Sequence, residues 1–270
     1  MPGSVKVMGI VNVTPDSFSD GGRFLDPDAA LTHARRLIAE GADILDIGAE
    51  STRPGSEPVS AEDEIARAVP LIAAIRAESS VAISIDTMKP QVARAAVAAG
   101  ADIWNDVAAL RYAPDAPQVA AELGCDLVLM HMRGEPRTMQ ADPQYDDVVA
   151  EVCGFLAERA EAAMAAGVAR EKIWLDPGVG FGKRPEHNLA LIARLDAVAA
   201  LGFPVLLGVS RKRFIAALDP AGGAALDGRL PGSLAAALAG VERGAGVLRV
   251  HDVAETVQAL KVWSAVAAAR

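Results

Sequence analysis

The sequence predicts a (β/α)8 barrel, a TIM-barrel fold of the α/β class, on three observations. First, a turn led by glycine precedes an apolar run that closes on a polar residue, and this recurs at Gly41–Glu50, Gly100–Asp106, Gly124–His131 and Gly244–His251. Each glycine fits the place just past a helix, where a left-handed residue is wanted. Second, these runs and four more without the glycine, at 5–13, 81–86, 172–176 and 204–208, are apolar enough to be parallel strands buried on both faces. Third, Ala-rich amphipathic segments separate the runs, and strands alternating with helices close into a barrel. An open doubly wound sheet is the alternative, and the even alternation favours closure. With 270 residues, half of them apolar, the chain can build one large core, so a single domain spanning residues 1–270 is expected.

Taken in order, the helices are expected at 27–39, 61–77, 90–99, 116–123, 145–166, 186–201 and 254–269. A short apolar segment, Phe214–Leu218, adds a helix directly after the strand at 204–208, with Ser210 as its N-cap. The run at 7–13 is short and is stopped by Thr14-Pro15-Asp16, so no secretory leader is expected and the protein is placed in the cytoplasm. No stretch is long enough to cross a bilayer. A net charge of −9 leaves no broad basic face for nucleic acid. Cys125 and Cys153 lack metal or redox spacing and read as neutral thiols.

In barrels of this kind the chemistry sits at the C-terminal ends of the strands. Asn12, Asp46, Asp86, Asn105, His131, Asp176, Ser210, Arg249 and His251 all fall at or just past such an end, and together they form a ring around one cavity. Asp46 is followed by more strand, so it can point into the barrel floor. Ser210-Arg211-Lys212 places a hydroxyl and two cations where a strand meets a helix, a place suited to an anion. Asp176-Pro-Gly-Val-Gly-Phe-Gly-Lys183 is not a Walker loop, because its glycine spacing is wrong and Arg184 stands where magnesium would need a hydroxyl. It reads instead as a carboxylate followed by a loop that can approach a flat ligand, with Phe181 as a stacking face. Asp86 and Asn105 can read the N–H and carbonyl edge of a heterocycle; with Asp176 and Lys212 they suit a pterin or a purine. Arg249 and His251 alternate, so their side chains share a face and suit a di- or pyrophosphate. The loops 12–22 and 51–55 are long and polar, with Arg53 as an anion clamp. The plainer readings are that Asp86 caps the helix near Pro90, that the loops are ordinary surface, and that His33, His187, Arg35, Arg36 and Arg67 are structural or solvated.

The motifs in their order resemble the dihydropteroate synthase family closely, from near residue 7 to near residue 253. The resemblance rests on Asn12-Val-Thr-Pro-Asp-Ser-Phe-Ser-Asp-Gly-Gly22, Glu50-Ser-Thr-Arg-Pro-Gly55, Ser84-Ile-Asp-Thr87, Asn105-Asp106, Leu129-Met-His-Met132, the Asp176–Lys183 loop, Ser210-Arg-Lys212 and Arg249-Val-His251. It implies a magnesium-dependent transferase that joins p-aminobenzoate to 6-hydroxymethyl-7,8-dihydropterin pyrophosphate, releasing pyrophosphate, in a homodimer of a family targeted by sulfonamides. Carried over by position, Asp86, Asn105, Asp176 and Lys212 would hold the pterin. Asn12, Arg53, Arg249 and His251 would hold the pyrophosphate, with Asn12 also touching the magnesium. Ser210 would take the p-aminobenzoate carboxylate through its backbone N–H, beside Arg211. Phe18, Thr52, Pro54, Phe181 and the stem of Lys212 would wall the ring, and Ser19 and Asp20 would help close the first loop. One departure stands out: Ala108-Ala109 where the family often has Ser and Gly. Two rival readings are a pterin-barrel methyltransferase working with a corrinoid partner and a paralogue that binds pterin without turnover.

Overall fold

The computed structural model describes residues 5–13, 27–50, 58–135 and 138–269. Among them, eight parallel strands close into a barrel in chain order. They are β1 (Lys6–Asn12), β2 (Ile44–Gly48), β3 (Ala82–Asp86), β4 (Ile103–Asp106), β5 (Asp126–Met130), β6 (Ile173–Asp176), β7 (Val205–Leu207) and β8 (Ala245–Val250), with β8 returning to pair with β1. The helices are α1 (Pro27–Glu40), α2 (Ala61–Glu78), α3 (Pro90–Ala98), α4 (Ala116–Leu123), α5 (Val148–Ala165), α6 (Pro185–Ala193), α7 (Leu195–Ala199), α8 (Arg213–Leu218), α9 (Leu230–Val241) and α10 (Val253–Ala268). No described helix is long and apolar enough to cross a membrane.

The four leading glycines behave as the pattern predicts. Gly41, Gly100, Gly124 and Gly244 take φ of +100, +113, +60 and +104. At Gly41 the helix closes with Gly41 N–H to the Ile38 carbonyl and Ala42 N–H to the Leu37 carbonyl, both at 3.0 Å. The left-handed residue turns the chain back into β2 while satisfying the last carbonyls of α1.

Period 2 along each strand divides the side chains between two cores. Outward-facing Leu45, Ile47, Ile83, Ile85 and Leu129 pack under the helix ring, against residues such as Leu37, Ile72, Ile75 and Leu156. Inward-facing Met8, Ile44, Ile103, Val128, Trp174, Leu206 and Val247, with Ala82 against them, fill the barrel floor. Two residues further along several of these strands stand the polar groups of the mouth: Ile44 leads to Asp46, Ile103 to Asn105, Trp174 to Asp176 and Val247 to Arg249. On β3 two such steps run from Ala82 through Ser84 to Asp86.

Several expectations are corrected. The segment expected as one helix at 186–201 is two, α6 and α7, because Arg194 leaves the helical region at φ −121 and ψ 34. His187 lies in the first turn of α6, where its Nδ1 accepts the Arg184 N–H at 3.2 Å. Ser210 is not a cap. Arg211 takes φ +57, the chain turns there, and α8 starts only at Arg213 with Lys212 at the N-cap. Asp86 caps nothing either, since α3 begins after Lys89. α9 went unrecognised because its opening Leu230-Pro-Gly-Ser233 reads as a turn. Arg67 is half-buried rather than solvated, and it donates to the Ala49 carbonyl at 3.2 Å.

Candidate active site

β3, β4, β6 and β8, with the loops after β6 and β7, bring most of the described candidates to one cavity. Asn12, Asp86, Asn105, Asp176, Phe181, Ser210, Arg211, Lys212, Arg249 and His251 all line it. Phe18, Ser19, Asp20, Thr52, Arg53 and Pro54 lie outside the described residues.

At the base of the cavity Arg249 bridges two carboxylates. Its Nε donates to Asp46 at 2.6 Å and its Nη2 to Asp86 at 2.7 Å. Asp46 is fully buried, and Asn105 Nδ2 donates to both of its oxygens at 3.3–3.4 Å. The inward direction anticipated for Asp46 is observed, but its role was not: it orients Arg249 and Asn105 together. Burial would lower the Arg249 pKa, yet the Asp46 and Asp86 carboxylates outweigh it and raise it, so the guanidinium stays charged.

Asp86 has only one of its oxygens in use. Oδ2 accepts from Arg249, while Oδ1 is buried with no hydrogen-bond partner among the described residues. Burial pushes this carboxyl up to about 7, against the pull of Arg249 and with a further push from Asp46. An unpartnered buried acceptor costs about 1–3 kcal/mol, which a ligand N–H would recover. Asp176 is also raised by burial, while its Oδ1 accepts the Gly178 N–H at 2.7 Å. Lys212 is pulled down to about 8, first by burial and then by Arg249, and its Nζ lies 4.2 Å from the Phe181 ring centre.

The loops after β7 and β8 lock together. The His251 N–H donates to Ser210 Oγ at 3.2 Å, and Ser210 Oγ lies 3.0 Å from His251 Nδ1. Burial, then Arg249, lowers His251 to about 3, so the ring is neutral at physiological pH. Arg211, expected to add charge for a ligand, is instead paired with Asp252, Nε to Oδ2 at 3.0 Å, and its N–H donates to Ser233 at 2.9 Å.

The Ala108-Ala109 departure falls in a strained turn. Ala109 and Leu110 take φ +52 and +60 without being glycine. Asp106 holds them there, accepting the Ala108 and Leu110 N–H groups at 2.7 and 2.6 Å. The structure also joins groups that the sequence left apart: Lys89 is buried between Glu50 and Glu64, at 2.7 and 2.8 Å.

A β/α barrel that gathers carboxylate, amide and lysine groups in a cavity at its mouth has the layout of a small-molecule-binding barrel enzyme. Comparison with known proteins narrows the class. The family model described as pterin binding enzyme matches residues 8–251. The dihydropteroate synthase of Escherichia coli strain K12 is 48% identical over 264 residues, covering 98% of this chain and 92% of that protein. A structure of Xanthomonas albilineans dihydropteroate synthase with 4-aminobenzoic acid superposes with a TM-score of 0.92 at 52% identity, over 98% of this chain and 94% of that one. Another from the same organism, in complex with 7,8-dihydropteroate, gives 0.88 at 49% identity, over 98% and 95%. The chain belongs to the dihydropteroate synthase family of pterin-binding enzymes.

Proposed function

We propose that this chain, as a dihydropteroate synthase, joins p-aminobenzoate to 6-hydroxymethyl-7,8-dihydropterin pyrophosphate, and that it does so by a dissociative substitution. The observation that carries the reading is the unpartnered buried Oδ1 of Asp86, in a cavity shared with Asn105, Asp176 and Lys212. Asp86 and Asp176 accept pterin N–H groups, and Asn105 and Lys212 meet its remaining polar edge. As the bond from the pterin methylene carbon to the pyrophosphate oxygen breaks, both electrons leave with the oxygen, and positive charge spreads into the ring. Asp86 offsets that charge. Arg249 and His251 stand on the side of the departing anion. The amine of p-aminobenzoate then attacks the methylene carbon and gives up its proton to the departed pyrophosphate or to water, with its carboxylate held at the Ser210 backbone N–H. No residue is asked to act as a nucleophile.

Magnesium fits this donor set. Asn12 brings one amide oxygen to the same cavity, and Mg2+ commonly takes one or two protein oxygens and fills its shell with water and phosphate oxygens. Bound there, it would supply charge neutralisation for the leaving pyrophosphate. A homodimer belongs to the same reading, with exposed Val262 and Val266 on α10 as an apolar face available for it.

The experiment is pyrophosphate release from purified protein with magnesium and the pterin pyrophosphate, with and without p-aminobenzoate. Release that depends on p-aminobenzoate, with dihydropteroate formed, is the expected result. Pterin binding without release in either condition would turn the assignment to a binding protein.

A further inference from the structure

The glycine loop after β6 ends in a lysine for which the proposed chemistry has no use. Lys183 is 3% exposed. Its Nζ lies 2.9 Å from His131 Nδ1 and donates to the Gly178 carbonyl at 2.9 Å and to the Phe181 carbonyl at 3.0 Å. With the His131 carbonyl at 3.4 Å, four partner atoms surround a group that has at most three N–H bonds. The lysine therefore has nothing left for a phosphate, whatever its glycine-rich setting suggests. Two of these partners are carbonyls of its own loop, and the other two belong to His131, the residue that follows β5. Lys183 ties the loop both to itself and to the neighbouring strand end.

The rest of the loop is built to match. A Cβ at Gly178 would overlap the His131 carbonyl, and one at Gly182 would overlap the Arg133 carbonyl. The Gly180 N–H donates to Asn188 Oδ1 at 2.7 Å, and Tyr145 Oη donates to the Gly182 carbonyl at 2.8 Å. His131 is itself held, edge-on to Phe155 at 4.9 Å between ring centres. The pinned loop carries Phe181, whose ring lies 4.2 Å from Lys212 Nζ, and a Cβ on Gly180 would meet Lys212 Cδ at 3.1 Å. The chain of contact runs from Lys183 through the backbone of Phe181 to its ring and on to the Lys212 side chain.

We propose that Lys183 is a positioning residue for the pterin pocket, holding the 178–182 loop so that Phe181 and Lys212 stand in fixed register with Asp176. This rests on the assignment of Lys212 and Asp176 to the pterin. Lys183 borders the cavity, but its Nζ is committed to His131 and to the carbonyls of its own loop, so its effect reaches the ligand through the loop.

The test compares wild type, K183M and K183R by calorimetric binding of 6-hydroxymethylpterin and by steady-state kinetics. K183M removes all three donors. K183R keeps the charge in a planar fork that cannot serve the same partners. K183M should weaken pterin binding at least tenfold and raise KM for the pterin pyrophosphate to match, with KM for p-aminobenzoate moving less than threefold. K183R should show the same selectivity with at least a threefold loss. Ile75→Ala, in the α2 core, should lower the melting temperature and leave pterin affinity unchanged. Pterin binding by K183M within twofold of wild type would overturn the proposal, as would equal rises in both KM values. Where K183M is unfolded by circular dichroism, K183R decides on the same criteria. A wild-type protein that binds no pterin would count against the site assignment itself rather than against the role of Lys183.

Discussion

The floor and the mouth of the barrel are built on the same strands, often two residues apart, and they are opposite in chemistry. Ile44, Ile103, Trp174 and Val247 interdigitate in the floor; Asp46, Asn105, Asp176 and Arg249 stand directly beyond them. The floor gains free energy by taking apolar surface out of water. The mouth loses some by burying charges, as the raised Asp86 and lowered Lys212 record. One barrel thus stabilises itself at one layer and carries a preorganised, costly set of charges at the next. Catalysis needs that set in place before substrate arrives.

Substitutions at the two layers should therefore have opposite signatures. The largest effect belongs to the mouth: Asp86→Ala and Lys212→Ala should each cost kcat/KM on the order of a hundredfold or more, the loss of one preorganised partner being worth roughly 3 kcal/mol. The melting temperature of Lys212→Ala should not fall, because it removes a charge that burial disfavours; Asp86→Ala also breaks the ion pair with Arg249, so its melting temperature should fall. Wild-type turnover from both variants would remove the site assignment. At the floor, Ile103→Ala should cost about 2–5 kcal/mol of stability. That corresponds to a fall of roughly 5–15 °C in melting temperature, with kcat/KM nearly unchanged where the protein is folded. A floor variant that lost activity before stability would break the comparison.

A smaller and sharper effect is expected with pH. Asp86 must be ionised to accept N–H groups, and its carboxyl sits at about 7; Lys212 must be protonated, and it sits at about 8. The profile of kcat/KM, which reports the free enzyme, should rise through about pH 7 and fall through about pH 8. Asp86→Asn should abolish the rising limb. Stability carries its own sign. Between the unfolded carboxylate value of about 4 and pH 7, the native state holds a proton at Asp86 that the unfolded chain has lost. Stability from this group therefore falls as pH rises through that window. Wild type compared with Asp86→Asn by thermal melts at pH 4.5 and pH 7.5 measures it.

The smallest effect lies beside the mouth. Ala109 holds a left-handed φ of +52 that favours glycine. Ala109→Gly should raise stability by about 1 kcal/mol, since a left-handed residue with a Cβ costs roughly that much. Thermal melts would show it, and an unchanged or lower melting temperature would mean that the Asp106 hydrogen bonds already absorb the strain.

What the sequence determined by itself was the barrel, its strand ends and most of the described residues at its mouth; His131, expected in the ring, does not line the cavity. These follow from local rules: a fully apolar run of strand length, a glycine after a helix, and the period of 2 that sets Trp174 and Asp176 on the same face. Asp46, expected at the floor because more strand follows it, does turn inward, but in the layer above the floor, where it meets Arg249. Helix boundaries failed where local signals conflict, as at Arg194 within α6–α7 and at the Pro-Gly opening of α9. Only the tertiary structure decided which groups meet. Arg249 finds Asp46 203 positions away and Asp86 163 positions away, Lys183 finds His131 52 positions away, and Arg211 turns aside to Asp252. Such pairings depend on the stagger between neighbouring strands, which sets how far up the barrel each side chain reaches. That stagger is a property of the closed sheet and is written in no single segment of the chain.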